Sequence, residues 1–180
     1  DDSPGHVRVF QTINHEWSQI GNDIDGQKIT DGLGYTLDIS KDGSIIAIGG
    51  YGGAEVGKGL VRLFRNDSNN WAQLGSDIEG ENAHDVSAWV NLSEDGSVLA
   101  IGAPLDDNNA LNSGQINVYS LLIGTSGNDT LKSTSDNDYI DGGSGTDTVT
   151  FTGSFSNYSF TRGSDTLQIA DQRTTGTTDG

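Results

Sequence analysis

The sequence predicts an all-β protein: partial β-propeller-like blades, then a short parallel β-roll, then a C-terminal β-hairpin. Three observations carry this expectation. The first 120 residues repeat at about 54 residues, residues 124–150 repeat at nine, and no sustained helical periodicity runs through either stretch. With 26 Gly and only 2 Pro among many Ser, Thr, Asn and Asp, the chain is rich in turns.

The long repeat is carried by many separate positions. GHVRVF (Gly5–Phe10) recurs as GLVRLF (Gly59–Phe64) and as GQINVY (Gly114–Tyr119). WSQIGNDIDG from Trp17 recurs as WAQLGSDIEG from Trp71, and LDISKDGSIIAIGG from Leu37 as VNLSEDGSVLAIGAP from Val90. Each unit holds about four strand candidates, in the first HVRVFQ, WSQIG, YTLDIS and SIIAIGG. VRVF, VRLF and INVY alternate apolar with polar, as half-buried strands do. Lys41-Asp42-Gly43-Ser44 and Glu94-Asp95-Gly96-Ser97 each read as a tight turn between two strands. Four strands in 40 to 60 residues mark a propeller blade, although stacking as a sandwich or open array is also compatible. Two complete units and one further strand do not close a propeller, so the segment reads as part of a longer chain. The matched pair Trp17 and Trp71 is expected to pack between blades. Trp89 stands at a less regular position, where it could line a binding face.

GYTLDISKDGSIIAIGG and SAWVNLSEDGSVLAIGAP resemble FG-GAP-type repeats, the blades of integrin-α-like propellers, over about Gly5 to Ser120. Ile101-Gly102-Ala103-Pro104 supplies one half of that motif; Gly34-Tyr35 and Ala88-Trp89 stand loosely for the other. Calcium-binding members of that family carry a D-x-D/N-x-D-G type loop. Here only Ser-Lys-Asp-Gly and Ser-Glu-Asp-Gly stand there, too poor in carboxylates to cage a cation, so no metal is assigned to the blades.

The short repeat comprises GTSGNDTLK, STSDNDYID and GGSGTDTVT, from Gly124 to Thr150. Position six is acidic in each (Asp129, Asp138, Asp147) and position eight apolar (Leu131, Ile140, Val149). The last unit fills every position of G-G-x-G-x-D-x-U-x. Glycines ahead of the Asp in the first and last units allow positive φ and bring carbonyl oxygens together, while the middle unit has lost its glycines. Carbonyls and carboxylates are hard donors suited to calcium; with no thiol and no patterned His, zinc is a poor match. A Gly/Asp/Ser-rich linker, or a degenerate metal-free roll, is the alternative reading. The units resemble RTX, or haemolysin-type, calcium-binding repeats, in which each nonapeptide is half a coil of a parallel β-roll. The resemblance implies that Gly124–Asp129 stacks on Gly142–Asp147. It further implies a calcium site with carboxylates from Asp129 and Asp147 and backbone carbonyls from Gly124, Ser126, Asn128, Gly142, Ser144 and Thr146. Asp138 falls on the opposite side, where QINVYSLLI and FTGSFSNYS lack the loop pattern.

The domain reading is therefore 1–120 blade-like repeats, 121–150 roll and 151–180 a strand cap. In that cap FSNYSFTR and DTLQIADQR form a hairpin and Phe151, Phe155, Tyr158, Phe160, Leu167 and Ile169 cover the roll's end. The formal charge is −17, from 26 Asp plus Glu against 9 Lys plus Arg, which excludes nucleic acid as a partner. Cysteine is absent, and no apolar run is long enough to span or insert into a membrane. His6, His15 and His84 show no ligand spacing, and no nucleophile elbow, H-E-x-x-H or phosphate loop occurs, so no catalytic residue is assigned. The expected role is a calcium-binding, extracellular, structural or adhesive region with cell-surface or glycan ligands. By the RTX resemblance it would be exported by type I secretion from a Gram-negative or related bacterium. The alternatives are the non-catalytic secretion and folding module of a larger hydrolase, and a carbohydrate-binding propeller.

Overall fold

The computed structural model describes residues 3–52, 57–106, 113–163, 166–174 and 178–179. These residues are almost wholly strand and turn, as the all-β expectation requires. They fall into two compact units, Asp1–Gln73 with Asp77–Asn117, and Leu74–Ser76 with Val118–Gly180.

In the first unit, β1 (His6–Ile13) and β2 (Glu16–Asp25) pair as an antiparallel hairpin. β3 (Thr36–Ile39), β4 (Ile45–Gly50), β5 (Leu60–Asp67) and β6 (Asn70–Glu79) form a four-stranded sheet in chain order. β7 (Trp89–Leu92) and β8 (Val98–Ala103) pair antiparallel, and β9 (Gln115–Ile123) follows β8 in its sheet. Sheet boundaries cut the sequence repeat in half. HVRVFQ and WSQIG stand apart as β1 and β2, while YTLDIS and SIIAIGG join the next unit's GLVRLF and WAQLG. The reading of one repeat as one four-strand set is therefore shifted by two strands. A periodic sequence carries no phase; contacts between strands set it.

β4 and β5 are central and read as apolar runs, IIAIGG and LVRLF, because both faces are covered. Ile46, Ile48, Leu60 and Phe64 pack with Val7, Ile24 and Leu33 into one core. Each such side chain contributes about 1.5–3 kcal/mol on burial. Successive repeats lie against each other. Leu92 N–H donates to Asp38 Oδ2 at 2.8 Å, Lys41 N–H to Glu94 O at 2.8 Å, and Thr36 Oγ1 to Ala88 O. Gly49 permits this approach, since a Cβ there would fall 1.9 Å from Ala88 O. Trp71 packs on the core and donates from Nε1 to Ile20 O at 3.1 Å. Trp17 instead is 75% exposed. Of the two tryptophans expected to pack between repeats, Trp71 does so among the described residues, lying on the β2 of the preceding repeat.

The turns Ser40–Ser44 and Ser93–Ser97 share one design. Asp42 Oδ1 accepts from Ser40 Oγ, Ser44 N and Ser44 Oγ at 2.7, 3.0 and 2.7 Å. Asp95 does the same with Ser93 and Ser97. These bonds, the leading serine's first, pull both carboxyls down to about 2. The aspartate carboxylate of each turn is committed to its own backbone and serines.

Arg62 is 1% exposed in the middle of β5. Its Nε and Nη2 donate to Asp77 Oδ1 and Oδ2 at 2.8 and 2.7 Å, and Nη1 lies 2.9 Å from Asp31 Oδ2. Burial opposes the guanidinium charge, but the two aspartates outweigh it and raise the Arg62 pKa. Burial likewise pushes Asp77 up, and Arg62 more than reverses this. Fully buried Asp31 also accepts from the backbone of Gln27 and Lys28, which fixes the loop after β2. Arg8 and Asp23, one repeat earlier, form the same pair at 2.8 Å but with side chains 51% and 33% exposed.

In the second unit, β9 from Tyr119 to Ile123 pairs in parallel with β11 (Asn137–Asp141), Tyr119 opposite Asn137. β10 (Thr130–Lys132) pairs in parallel with β12 (Thr148–Thr150), Thr130 opposite Thr148. Both ladders join residues 18 apart, so two nonapeptides make one coil, as the sequence implies. Leu131 sits opposite Val149 and Ile140 opposite Leu122, each half-buried. Leu74–Ser76 belongs to this unit through Tyr139, whose hydroxyl lies 3.0 Å from Leu74 O and 2.8 Å from Ser76 O. Gly75 N–H donates to Asp141 Oδ2 at 2.8 Å, and a Cβ on Gly75 would meet the Tyr139 hydroxyl at 2.3 Å.

A 3₁₀ turn at Phe155–Asn157 leads to the antiparallel hairpin β13 (Tyr158–Arg162) and β14 (Leu167–Asp171). The hairpin is where the sequence places it. Of the six apolar residues expected in the cap, Phe151, Tyr158 and Ile169 are half-buried, with the Phe151 and Tyr158 rings in contact, whereas Phe155, Phe160 and Leu167 are 81%, 44% and 58% exposed and the Phe155 and Phe160 rings stack on each other. Polar contacts also hold the segment. Asp179 Oδ2 accepts from Thr152 N, Thr152 Oγ1, the Tyr158 hydroxyl and Arg173 Nη2. Arg173 also pairs with Asp171.

Two predictions follow from these charge networks. Arg62→Ala leaves two aspartates without their cation and lowers stability by about 3–5 kcal/mol, whereas Arg8→Ala costs less than about 1 kcal/mol; paired denaturant melts measure both. Burial raises the Asp179 pKa, but bonds from Tyr158 and Thr152 more than offset that and bring it from 3.8 to about 2. A depressed carboxyl stabilises the fold above its unfolded pKa and loses that effect as pH falls through the folded one. The C-terminal segment therefore loosens between about pH 4 and pH 2, visible as falling amide protection at Thr152 and Gly153. Asp179→Asn flattens that slope.

Candidate metal centre

The candidate site is built by two turns, residues 124–129 and 142–147, which the 18-residue register stacks directly. In the first, Asp129 Oδ2 accepts from Thr125 N at 2.7 Å and Thr125 Oγ1 at 3.0 Å, closing the loop on its own carboxylate. Five hydrogen bonds join the turns or the strands that leave them. Gly124 N–H donates to Asp141 O at 2.7 Å, Ser144 N–H to Thr125 O at 3.2 Å and Thr148 N–H to Asp129 O at 2.9 Å. Thr146 N–H donates to Asn128 Oδ1, and Asp129 N–H to Asp147 Oδ1, both at 2.9 Å.

Glycine is required where oxygen atoms crowd the backbone. Gly143 has φ of 77°, and a Cβ on it would stand 2.2 Å from Thr125 O. A Cβ on Gly124 would stand 2.2 Å from Gly142 O and 3.0 Å from Asp129 Oδ2; one on Gly142 would stand 2.5 Å from Asp147 Oδ2. At Gly145, with φ of 124°, the intruding atom is Gly127 O at 2.5 Å. The space that side chains would fill is thus edged by carbonyl, amide and carboxylate oxygens. Such a donor set fits a hard cation of flexible coordination, and calcium takes six to eight oxygens of these kinds. Among the described residues no three His, Cys, Asp or Glu side chains converge. Two carboxylates, with the remaining ligands from carbonyls and amides, is the chemistry available here.

The sequence-derived ligand residues distribute as follows. Asp129 and Asp147, both half-buried, are brought together through the Asp129 N–H. Gly124 lies over Gly142, and Asn128 reaches Thr146 through its side-chain oxygen. Ser144 meets the first turn through its N–H, and Ser126 is an exposed residue of that turn. The carbonyls of Thr125 and Gly127 also face the second turn, at Gly143 and Gly145. Sequence reasoning missed these two, because the nonapeptide marks its glycines and its Asp but not which carbonyl turns inward. Asp138 stands apart: it lies on the β9–β11 side, opposite Ser120, and its carboxylate accepts from Thr134 N and Oγ1 at 2.9 and 2.7 Å. That turn keeps the Thr-to-Asp closure of the 124–129 loop without a like loop stacked on it.

No curated protein matches the chain. Residues 121–152 match the family model described as RTX calcium-binding nonapeptide repeat (4 copies), which extends past both ends of the 124–150 stretch. The stretch that holds these stacked turns is thus a run of RTX repeats, and the ion that such repeats bind is calcium.

Proposed function

We propose that the chain is an extracellular, calcium-binding structural or adhesive region whose roll orders when it meets calcium. The observation that carries this reading is the parallel register of 18 residues, which sets the Asp129 loop on the Asp147 loop. Two carboxylates on stacked turns of a chain with formal charge −17 repel each other unless a cation lies between them. Asp129 and Asp147 would hold calcium with neighbouring carbonyls, and the ion would neutralise them and cross-link the coil. An ion that binds the folded roll alone stabilises it by RT ln(1 + [L]/Kd), so folding is driven where calcium is abundant. High calcium outside cells, together with the family's association with secreted proteins, supports export as an unfolded chain by a type I route.

In this reading residues 1–120 are FG-GAP-like, propeller-type repeats presenting a surface, and the segment itself does no catalysis. Support for the blade reading comes from the four-stranded sheet β3–β6 and from stacking of residues 52 to 54 apart, as between Thr36 and Ala88, Lys41 and Glu94, and Asp38 and Leu92.

Calcium titration followed by circular dichroism and binding heat tests the proposal. The expected result is saturable binding with gain of β-structure at millimolar calcium; heat and spectrum unchanged there would refute it. Asp147→Ala weakens binding at least about tenfold, while Asp138→Ala leaves it near the parent value. Gly143→Ala, forced into positive φ against Thr125 O, lowers both affinity and roll stability.

A further inference from the structure

A second site lies in the first unit, far from the nonapeptides in sequence. A cleft of about 260 Å³ opens between β2, β5 and β6, with Asn22, Asp25, Gln27, Asn70 and Trp71 on its walls and Arg62 at its base. The geometry points to a binding site for one ring of a neutral saccharide.

Four features support this. First, part of the lining is held before any ligand arrives. Trp71 is anchored by its Nε1 bond to Ile20 O, Gln73 by donation to Asp77 Oδ1 at 3.0 Å, and Asp23 by Arg8 and Gln19, each at 2.8 Å. Preorganised polar groups lose little entropy on binding. Second, the lining has the chemistry of polyol recognition. Asn22, Gln27 and Asn70 each offer both a donor and an acceptor, as a hydroxyl does, and the indole provides an apolar face for ring C–H groups.

Third, charge selects against anions. Arg62 is held by two aspartates, Asp77 and Asp31, and Asp23 is paired with Arg8, so the base offers no uncommitted cation to an anionic ligand, and Asp25 adds a further negative charge to the wall. Fourth, the volume lies below the roughly 300 Å³ at which drug-sized pockets begin, which suits a single ring. The amides are also not demanded by the repeat: Asn22 and Gln27 correspond to Ser76 and Glu81 one repeat later. The lining therefore departs from the internal consensus where it faces the cleft.

The test uses the whole chain, with and without calcium, and the methyl glycosides of glucose, galactose, mannose and N-acetylglucosamine. Saturation-transfer NMR and titration should show at least one glycoside binding at millimolar concentration, with transfer from Trp71. Asn22→Ala or Asn70→Ala should weaken it about tenfold, and Trp89→Ala should leave it unchanged. Binding in calcium-free protein keeps the result independent of the roll. Failure of all four glycosides, loss of binding in Trp89→Ala but not Asn22→Ala, or a response only to a quaternary amine such as choline overturns the proposal.

Discussion

A repeating chain places residues beside their own counterparts, and this constraint governs both units. Counterparts carry the same charge unless the sequence departs from its repeat, and like charges side by side are unfavourable. The first unit departs: Lys41 and Glu94 hold equivalent turn positions and meet at 2.7 Å with opposite sign. The pair is exposed, so it adds little stability, but no repulsion arises there. The roll does not depart. Asp129 and Asp147 keep the same sign in stacked turns, within the stretch that matches calcium-binding RTX repeats. In the function proposed above, calcium offsets that like charge and the stability of the roll is linked to it.

The same logic separates the buried polar residues from the exposed apolar ones. Arg62 and Asp31 survive in the core because each offsets the other's charge, while Asp77 accepts from Nε and Nη2 of the guanidinium. One repeat earlier, Arg8 and Asp23 form the counterpart of the Arg62–Asp77 pair with both side chains partly exposed, and Trp17 is exposed where Trp71 is half-buried.

The roll's coil was legible in the sequence because a nine-residue period with phased Asp and apolar residues admits few geometries. Counting half a coil per unit places Asp129 with Asp147 and Asp138 opposite, and the two parallel ladders agree. The ligand carbonyls were less legible, since Thr125 and Gly127 have no signature side chain. The phase of the long repeat and the fate of Phe155 and Phe160 were not legible either. Alternation in FSNYSFTR shows a strand but not what its faces meet: Tyr158 is half-buried and bonded to Asp179, while Phe155 and Phe160 are exposed.

The sequence by itself determined the all-β class, the two periods, the tight Asp-Gly turns and the pairing of acidic turns 18 residues apart. All of these are set by local backbone preference and by repetition, which a linear string records. Only the tertiary structure decided where each sheet begins, which tryptophan is covered, which carbonyls face the calcium turns, and that β2, β5 and β6 enclose an amide-lined cleft. Those depend on contacts between residues from 18 to 54 apart, and such contacts exist only once the strands have packed.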